Sequence, residues 1–346
     1  MKKVSLLLAL LLVLVVMAGC AAPAAAPAAD SDSASTSEEA APADDAAAES
    51  DAAAEDDGIY IPVISKGFQH QFWQAVESGA EQAATDYGVE STFEGPETEA
   101  MVDRQIEMLQ AALAKNPDAI CFAALDTQAA IPLLEEAQSR GIPIVGFDSG
   151  VDSDIPVATA ATDNVAAAAL AADKMAELIG DEGQVAVIVH DQTSRTGIDR
   201  RDGFLNQMEA AHPNIEIVNV DYGGGDQLKS TDLAKAVIQA NPDLKGYFGA
   251  NEGSIIGVLN AITELGKEGE IVAVGYDAGA QQLDAIRSGV ESGAITQNPV
   301  GIGYKCVEAA VKAINGEEVE KVIDTGFFWY DADNIDDPEI AALLYE

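Results

Sequence analysis

From Ile59 to Tyr330 the chain alternates short apolar runs with amphipathic stretches of three to four helical turns. That rhythm limits the fold more than any other feature. Short runs that are apolar throughout read as strands buried on both faces, and the helices between them supply the cover. Strands fall at Ile59–Ile64, Val89–Phe93, Ala119–Phe122, Ile142–Phe147 and Val157–Thr159. The first helix carries Trp73, Val76, Ala80, Ala83 and Tyr87 on one 3.6-period face, and others span Glu99–Lys115 and Thr127–Arg140. A second series runs through helix Asn164–Ile179, strand Gln184–Val189, helix Thr196–Ala211, strand Ile215–Asp221 and helix Asp226–Ala240. Strand Gly246–Gly249, helix Glu252–Leu265, strand Ile271–Gly275, helix Gln281–Ser288, strand Ala294–Thr296, helix Gly301–Asn315 and the apolar run Phe327–Tyr330 complete it. These strands are too many for one comfortable sheet. The pattern therefore predicts an α/β protein of two lobes, each a parallel sheet flanked by helices on both faces, with the break near Thr162-Asp163-Asn164.

The ends of the chain are different. Met1-Lys2-Lys3, the apolar segment Val4–Met17 and a closing Met17-Ala-Gly-Cys20 make residues 1–20 an export signal, since the apolar run is short for a membrane span. The closing tetrapeptide resembles the lipobox of bacterial lipoproteins, which implies acylation of Cys20 as the mature N-terminus. Residues 21–57 are Ala, Pro, Ser, Thr, Asp and Glu without an aromatic, a composition that cannot bury enough surface to order itself and that reads as a tether. The protein would then be extracytoplasmic and lipid-anchored to the cell membrane. From Gly58 onward 48 acidic residues face 16 basic ones, which argues against nucleic-acid partners. Cys121 and Cys306 both sit in apolar runs and read as small buried hydrophobes rather than a disulfide pair. No metal-ligand cluster stands out, and His70, His190 and His212 are far apart.

Chemistry concentrates where strands end. Open α/β sheets place ligands outside the carboxyl ends of their strands. After Ile59–Ile64 the loop to the first helix carries Lys66, Gln69, His70 and Gln71 beside Phe68, Phe72 and Trp73. Aromatic faces among amide, imidazole and ammonium groups suit a ligand polar at its rim and apolar on its faces, such as a sugar or cyclic polyol. Asp148 and Asp277 each follow an apolar strand, where a carboxylate accepts strong, charge-assisted hydrogen bonds from hydroxyls. Arg200 offers a fork of donors, while Asn251 and Gln297 each offer a donor and an acceptor. Each of these has a plainer reading: Asp148, Asp277 and Asn251 as helix caps, Arg200 as a partner of Asp199 or Asp202, Gln297 as a strand-end surface residue.

The order and spacing of several segments resemble the type I periplasmic solute-binding proteins, in the branch that includes the ribose-binding protein. The segments are the Phe72-Trp73 opening, Gly141-Ile-Pro-Ile-Val-Gly-Phe-Asp148, Thr162-Asp163-Asn164, Arg200-Arg-Asp-Gly-Phe204, Ala250-Asn251-Glu252, Val274-Gly-Tyr-Asp277 and Ala294-Ile-Thr-Gln297. The resemblance implies two similar Rossmann-like lobes, 58–162 plus 299–323 and 163–298 plus 324–346, joined by three crossovers and closing on a ligand. Phe72 and Trp73 would sandwich the apolar face of the ring, and Tyr222, beside Gly223-Gly-Gly225, is the nearest candidate for the aromatic stacking position of the second lobe. Where the ribose pattern has an arginine this chain has Ser149, and where it has an asparagine this chain has His70. The expected ligand is therefore not ribose; a pentose, hexose or cyclic polyol stays open.

The expected function is a substrate-binding lipoprotein, a monomer, that delivers such a solute to ABC transporter permease subunits. The alternative is a sensory protein presenting its ligand to a chemoreceptor or histidine kinase. An enzyme is not expected: Ser65-Lys-Gly-Phe-Gln-His70 lacks the G-x-G-x-x-G phosphate loop, no nucleophile elbow appears, and no cofactor is implied. The acidic stretch before Ile59 leaves no place for the basic helix-turn-helix of a repressor.

Overall fold

The computed structural model describes residues 58–345; the export signal, the tether and Cys20 lie outside the described residues. In chain order the elements are β1 (Tyr60–Ile64), α1 (Gln71–Tyr87), β2 (Glu90–Glu94), α2 (Val102–Ala114), β3 (Ile120–Phe122), α3 (Ile131–Ser139), β4 (Ile144–Phe147) and β5 (Ala158–Ala161). They continue with α4 (Asn164–Ile179), β6 (Gly183–Val189), α5 (Arg195–Ala211), β7 (Ile215–Tyr222), α6 (Gln227–Ala240), β8 (Leu244–Gly249), α7 (Glu252–Glu264) and β9 (Val272–Tyr276). The last are α8 (Ala280–Ser288), β10 (Gly293–Gln297), α9 (Pro299–Ile314), β11 (Val322–Asp324), β12 (Phe327–Tyr330) and α10 (Pro338–Ala341).

The strands form two six-stranded sheets with the same winding. One runs β11-β5-β4-β3-β1-β2 and is parallel throughout; the other runs β12-β10-β9-β8-β6-β7, with only β12 antiparallel, against β10. Both fold back at a central pair, β1/β3 and β6/β8, and loops leaving such a pair diverge to open a crevice. The chain passes between the sheets three times: after β5, after β10, and between β11 and β12. At the first two passages Thr162 donates its hydroxyl to Gln297 Oε1 at 2.9 Å.

Helix α9 leaves the second sheet and packs on α1 beside the first. Contact is close enough that a Cβ at Gly303 would collide with the carbonyl of Val76, and one at Gly79 with that of Val300. Cys306 on α9 forms a disulfide with Cys121 on β3 across 185 residues of sequence, with Cα atoms 6.2 Å apart. This corrects the expectation of two unbonded cysteines. Burial was rightly anticipated, but the return of α9 onto β3 is a long-range consequence of topology that no local pattern displays.

Two elements were not anticipated. β11 forms the edge of the first sheet from Val322-Ile-Asp324, whose Val322 is 71% exposed, so it has no apolar run to announce it. α10 is a single turn capped by Asp337. Tyr87, placed on the buried face of α1 by periodicity, is exposed and donates its hydroxyl to Glu308.

At the end of α5, His212 faces two carboxylates, Nδ1 2.7 Å from Asp181 Oδ1 and Nε2 2.9 Å from Asp173 Oδ1. The hydrogen bond to Asp173, with that to Asp181, outweighs burial and raises the imidazole pKa. A raised folded-state pKa contributes stability that is full below the unfolded value of about 6.5 and is lost as pH rises through the folded value. We expect His212→Asn to lower the melting midpoint at about pH 5.5 and the gap from the parent protein to narrow by about pH 9. A gap of equal size at both would contradict this assignment.

Candidate functional site

The carboxyl ends of both sheets meet around one cavity. It is lined by Lys66, His70, Phe72, Trp73, Glu99, Asp148, His190, Arg200, Asn251, Asp277 and Gln297. Nine of the ten residues picked out from the sequence are among them. Tyr222 is not. It lies at the end of β7 with its hydroxyl 3.4 Å from Arg201 Nη1, outside the lining, because β7 is the outermost strand of its sheet.

The two aspartates share an unusual backbone. Asp148 follows β4 with φ +52° and Asp277 follows β9 with φ +82°, a region costly for a side chain other than Gly, Asn or Asp. Such turns cluster at functional sites, and here they swing each carboxylate off the end of its strand towards the cavity. Asp277 Oδ1 accepts from Gln297 Nε2 at 2.7 Å and Oδ2 from the backbone N–H of Glu252 at 2.9 Å. Gln297 thereby orients Asp277, while its Oε1 is taken by Thr162. Asn251 is both a cap and a wall: its Oδ1 accepts from Ser254 N at 3.0 Å at the start of α7.

Of the two consecutive arginines, α5 turns Arg200 inward and Arg201 to the surface against Asp202. Arg200 donates from Nε to Asn164 Oδ1 at 2.8 Å and from Nη1 to the carbonyl of Ala250 at 2.9 Å. Its guanidinium lies 3.8 Å above the Tyr276 ring and 4.0 Å from Asp277 Oδ2. Lys66, 3% exposed, reaches from the loop after β1 to Thr196 Oγ1 at 2.8 Å and to Asp148 Oδ2 at 3.3 Å. Burial works to lower the Lys66 pKa, but the carboxylates of Asp148, Glu99 and Asp191 more than reverse it and hold the ammonium charged.

Phe72 and Trp73 form one wall rather than the two halves of a sandwich. Both stand on the first turn of α1, and their rings meet edge to face at 5.0 Å. Trp73 also packs edge-on against Phe147 and donates Nε1–H to Glu99 Oε1 at 2.8 Å.

Sequence reasoning missed Glu99 and His190. Glu99 precedes α2 in a loop with no apolar signal. Burial alone would raise its pKa, but the charge of Lys66, helped by the hydrogen bond from Trp73, pulls it below the usual carboxylate range. His190 directly follows β6, so the strand-end rule that picked out Asp148 and Asp277 applies to it equally. Burial and the charges of Lys66 and Arg200 push its pKa well down, so it is neutral. His190 Nε2 lies 3.0 Å from Thr196 Oγ1, while its Nδ1 is buried without a hydrogen-bond partner, as is His70 Nδ1. Two imidazoles with an unpaired nitrogen each thus line a space with room for about one water molecule.

The lobes also touch around the site. Glu252 on α7 presents its carboxylate to the free N–H groups of Gln71 and Phe72 at the start of α1, at 3.3 and 3.4 Å. The His70 side chain makes no cap there. Gln71 Oε1 in turn accepts from Ala280 N at 2.8 Å.

Two doubly wound sheets whose strand ends converge on one polar cleft define a two-lobed α/β architecture with its candidate site between the sheets. Residues 61–318 match the family model described as the periplasmic binding protein domain, and the chain belongs to that family. It is 29% identical over 269 residues to the D-allose-binding periplasmic protein of Escherichia coli, covering 75% of this chain and 85% of that one. A solute-binding protein of an ABC transporter from Agrobacterium vitis, solved with bound D-fucose, superimposes with a TM-score of 0.80 at 35% identity, over 83% of this chain and 100% of its own. A second from Agrobacterium vitis, bound with alpha-D-tagatopyranose, also gives 0.80, at 33% identity, over 83% of this chain and 99% of its own.

Proposed function

We propose that this protein is an extracytoplasmic receptor that captures a monosaccharide or cyclic polyol between its lobes and delivers it to the permease of an ABC importer. The observation that carries the reading is the convergence of Asp148, Asp277, Arg200, Asn251 and two imidazoles from both sheets on one cavity walled by Phe72 and Trp73. Carboxylates and imidazoles bind hydroxyls, and the aromatic wall takes the apolar face of a ring. The relatives that bind D-allose, D-fucose and tagatose support a sugar, and the family supports binding rather than catalysis.

Residues 58–162 plus 299–323 and 163–298 plus 324–346 act as the two rigid lobes. Contacts that a ligand makes to both shift the population towards the closed arrangement. A ring needs far more room than the present space, so Lys66 and its neighbours must yield as it enters. Acylated Cys20 and the acidic tether hold the receptor, as a monomer, near the permease.

A thermal-shift screen of the purified protein against D-allose, D-fucose, D-tagatose, D-ribose and cyclic polyols tests this. A ligand at a hundredfold excess over its Kd adds about 2.7 kcal/mol and visibly raises the melting midpoint. Shifts with none of them, from a protein that melts cooperatively, would sink the sugar reading.

A further inference from the structure

Gln69 stands beside the cavity with both ends of its amide committed. Its Oε1 accepts the backbone N–H of Glu99 at 3.1 Å, and its Nε2 lies 3.2 Å from the carbonyl oxygen of Gly225 and 3.0 Å from His70 Nε2. The two backbone partners fix which way the amide points, because an N–H only donates and a carbonyl only accepts. The amide nitrogen facing His70 is therefore a donor, and His70 Nε2 has to accept. In a neutral imidazole the proton then sits on Nδ1. His70 is 3% exposed and lines the cavity, and its Nδ1 is buried with no partner. A buried donor left unpaired is costly and calls for a reason; on the wall of a binding cavity, an incoming acceptor oxygen supplies one.

The second lobe completes the arrangement through the triglycine turn. A Cβ on Gly225 would come within 2.8 Å of Gln69 Nε2 and 3.2 Å of His70 Nε2, and the residue has φ +67°. Glycine lets this turn reach the amide. Gly224 has a similar φ, +72°, but a Cβ there would meet only Lys229 Nζ at 3.9 Å.

We propose that Gln69 is a positioning residue that fixes His70 as the Nδ1–H tautomer, presenting an N–H donor to an oxygen of the ligand, and that Gly225 takes up the second amide proton when the lobes meet. The identity of the accepting oxygen rests on the sugar reading; the tautomer does not.

The protein has three histidines, so nitrogen-15 spectra of its imidazoles are simple enough to assign with one His70→Gln control. The parent protein should show His70 protonated at Nδ1 and unprotonated at Nε2, with or without sugar, because Glu99, Gln69 and His70 lie in the same lobe. Gln69→Glu keeps the size but offers only acceptors, and should move the proton to Nε2. For whichever of D-allose, D-fucose, D-tagatose or D-ribose shifts the melting midpoint, Gln69→Glu should weaken binding about tenfold or more. Gly225→Ala should weaken it clearly more than Gly224→Ala, which shares the backbone strain but not the contact. Protonation of His70 at Nε2 in the parent protein, an unchanged tautomer in Gln69→Glu, or equal losses in the two glycine variants would overturn the proposal. Silence across all four sugars would count against the sugar reading alone, and the two spectra would still decide the role of Gln69.

Discussion

Asp277→Ala should reduce sugar affinity by at least a hundredfold and destabilise the protein as well. The side chain is 4% exposed and accepts from Gln297 Nε2 and the backbone N–H of Glu252 while facing Arg200. Removing it orphans two buried donors and takes the nearest carboxylate from a buried guanidinium; each orphan costs about 1–3 kcal/mol, more where charge is involved. A ligand hydroxyl loses its charged acceptor at the same stroke. Alanine also tolerates φ +82° poorly. Asp277→Asn separates these effects: asparagine accepts the left-handed backbone and keeps one acceptor, so its melting midpoint should stay closer to the parent's while its affinity falls. Calorimetric titration of the three proteins reads both results, and parent-like affinity in Asp277→Ala would remove Asp277 from the site.

The second large effect lies in the disulfide. Cys121 and Cys306 join β3 to the returning helix α9 across 185 residues, and closing so long a loop restricts the unfolded chain strongly. Replacing both by alanine should cost about 2–5 kcal/mol, with a parallel loss when the parent protein is unfolded under reductant. Either single substitution should cost about as much as the double one, since the bond is lost whole. Such bonds persist in oxidising compartments outside the cytoplasm, which suits a member of the periplasmic binding protein family. Two titratable thiols in the unreduced, unfolded parent protein would refute the link.

What was legible in the sequence follows from what is local. Strands apolar on both faces and helices of fixed period announced the two parallel sheets, and every site residue at a strand end was open to one rule. Asp148, Asp277 and Gln297 obeyed it, and His190 would have been found had the rule been applied to β6 as to β4 and β9. Glu99 and the β3–α9 disulfide were out of reach, because both depend on which distant segments topology brings together. Tyr222 stands outside the cavity lining for the same reason: an aromatic at a strand end suits stacking, but strand order puts β7 at the outer edge of the sheet. Periodicity also overreached at Tyr87, which ends α1 at the surface and lies against the polar side of α9 beside Tyr304 and Glu308.

The central claim is that the cleft binds a single sugar through groups from both lobes. Calorimetric titration of the purified protein with D-allose, D-fucose, D-tagatose and D-ribose in turn measures this most directly. At least one should bind saturably, with one sugar per protein molecule, and that binding should be lost when Asp148 and Asp277 are both replaced by alanine. Saturable binding that survives intact in that double variant would place the sugar elsewhere and contradict the account.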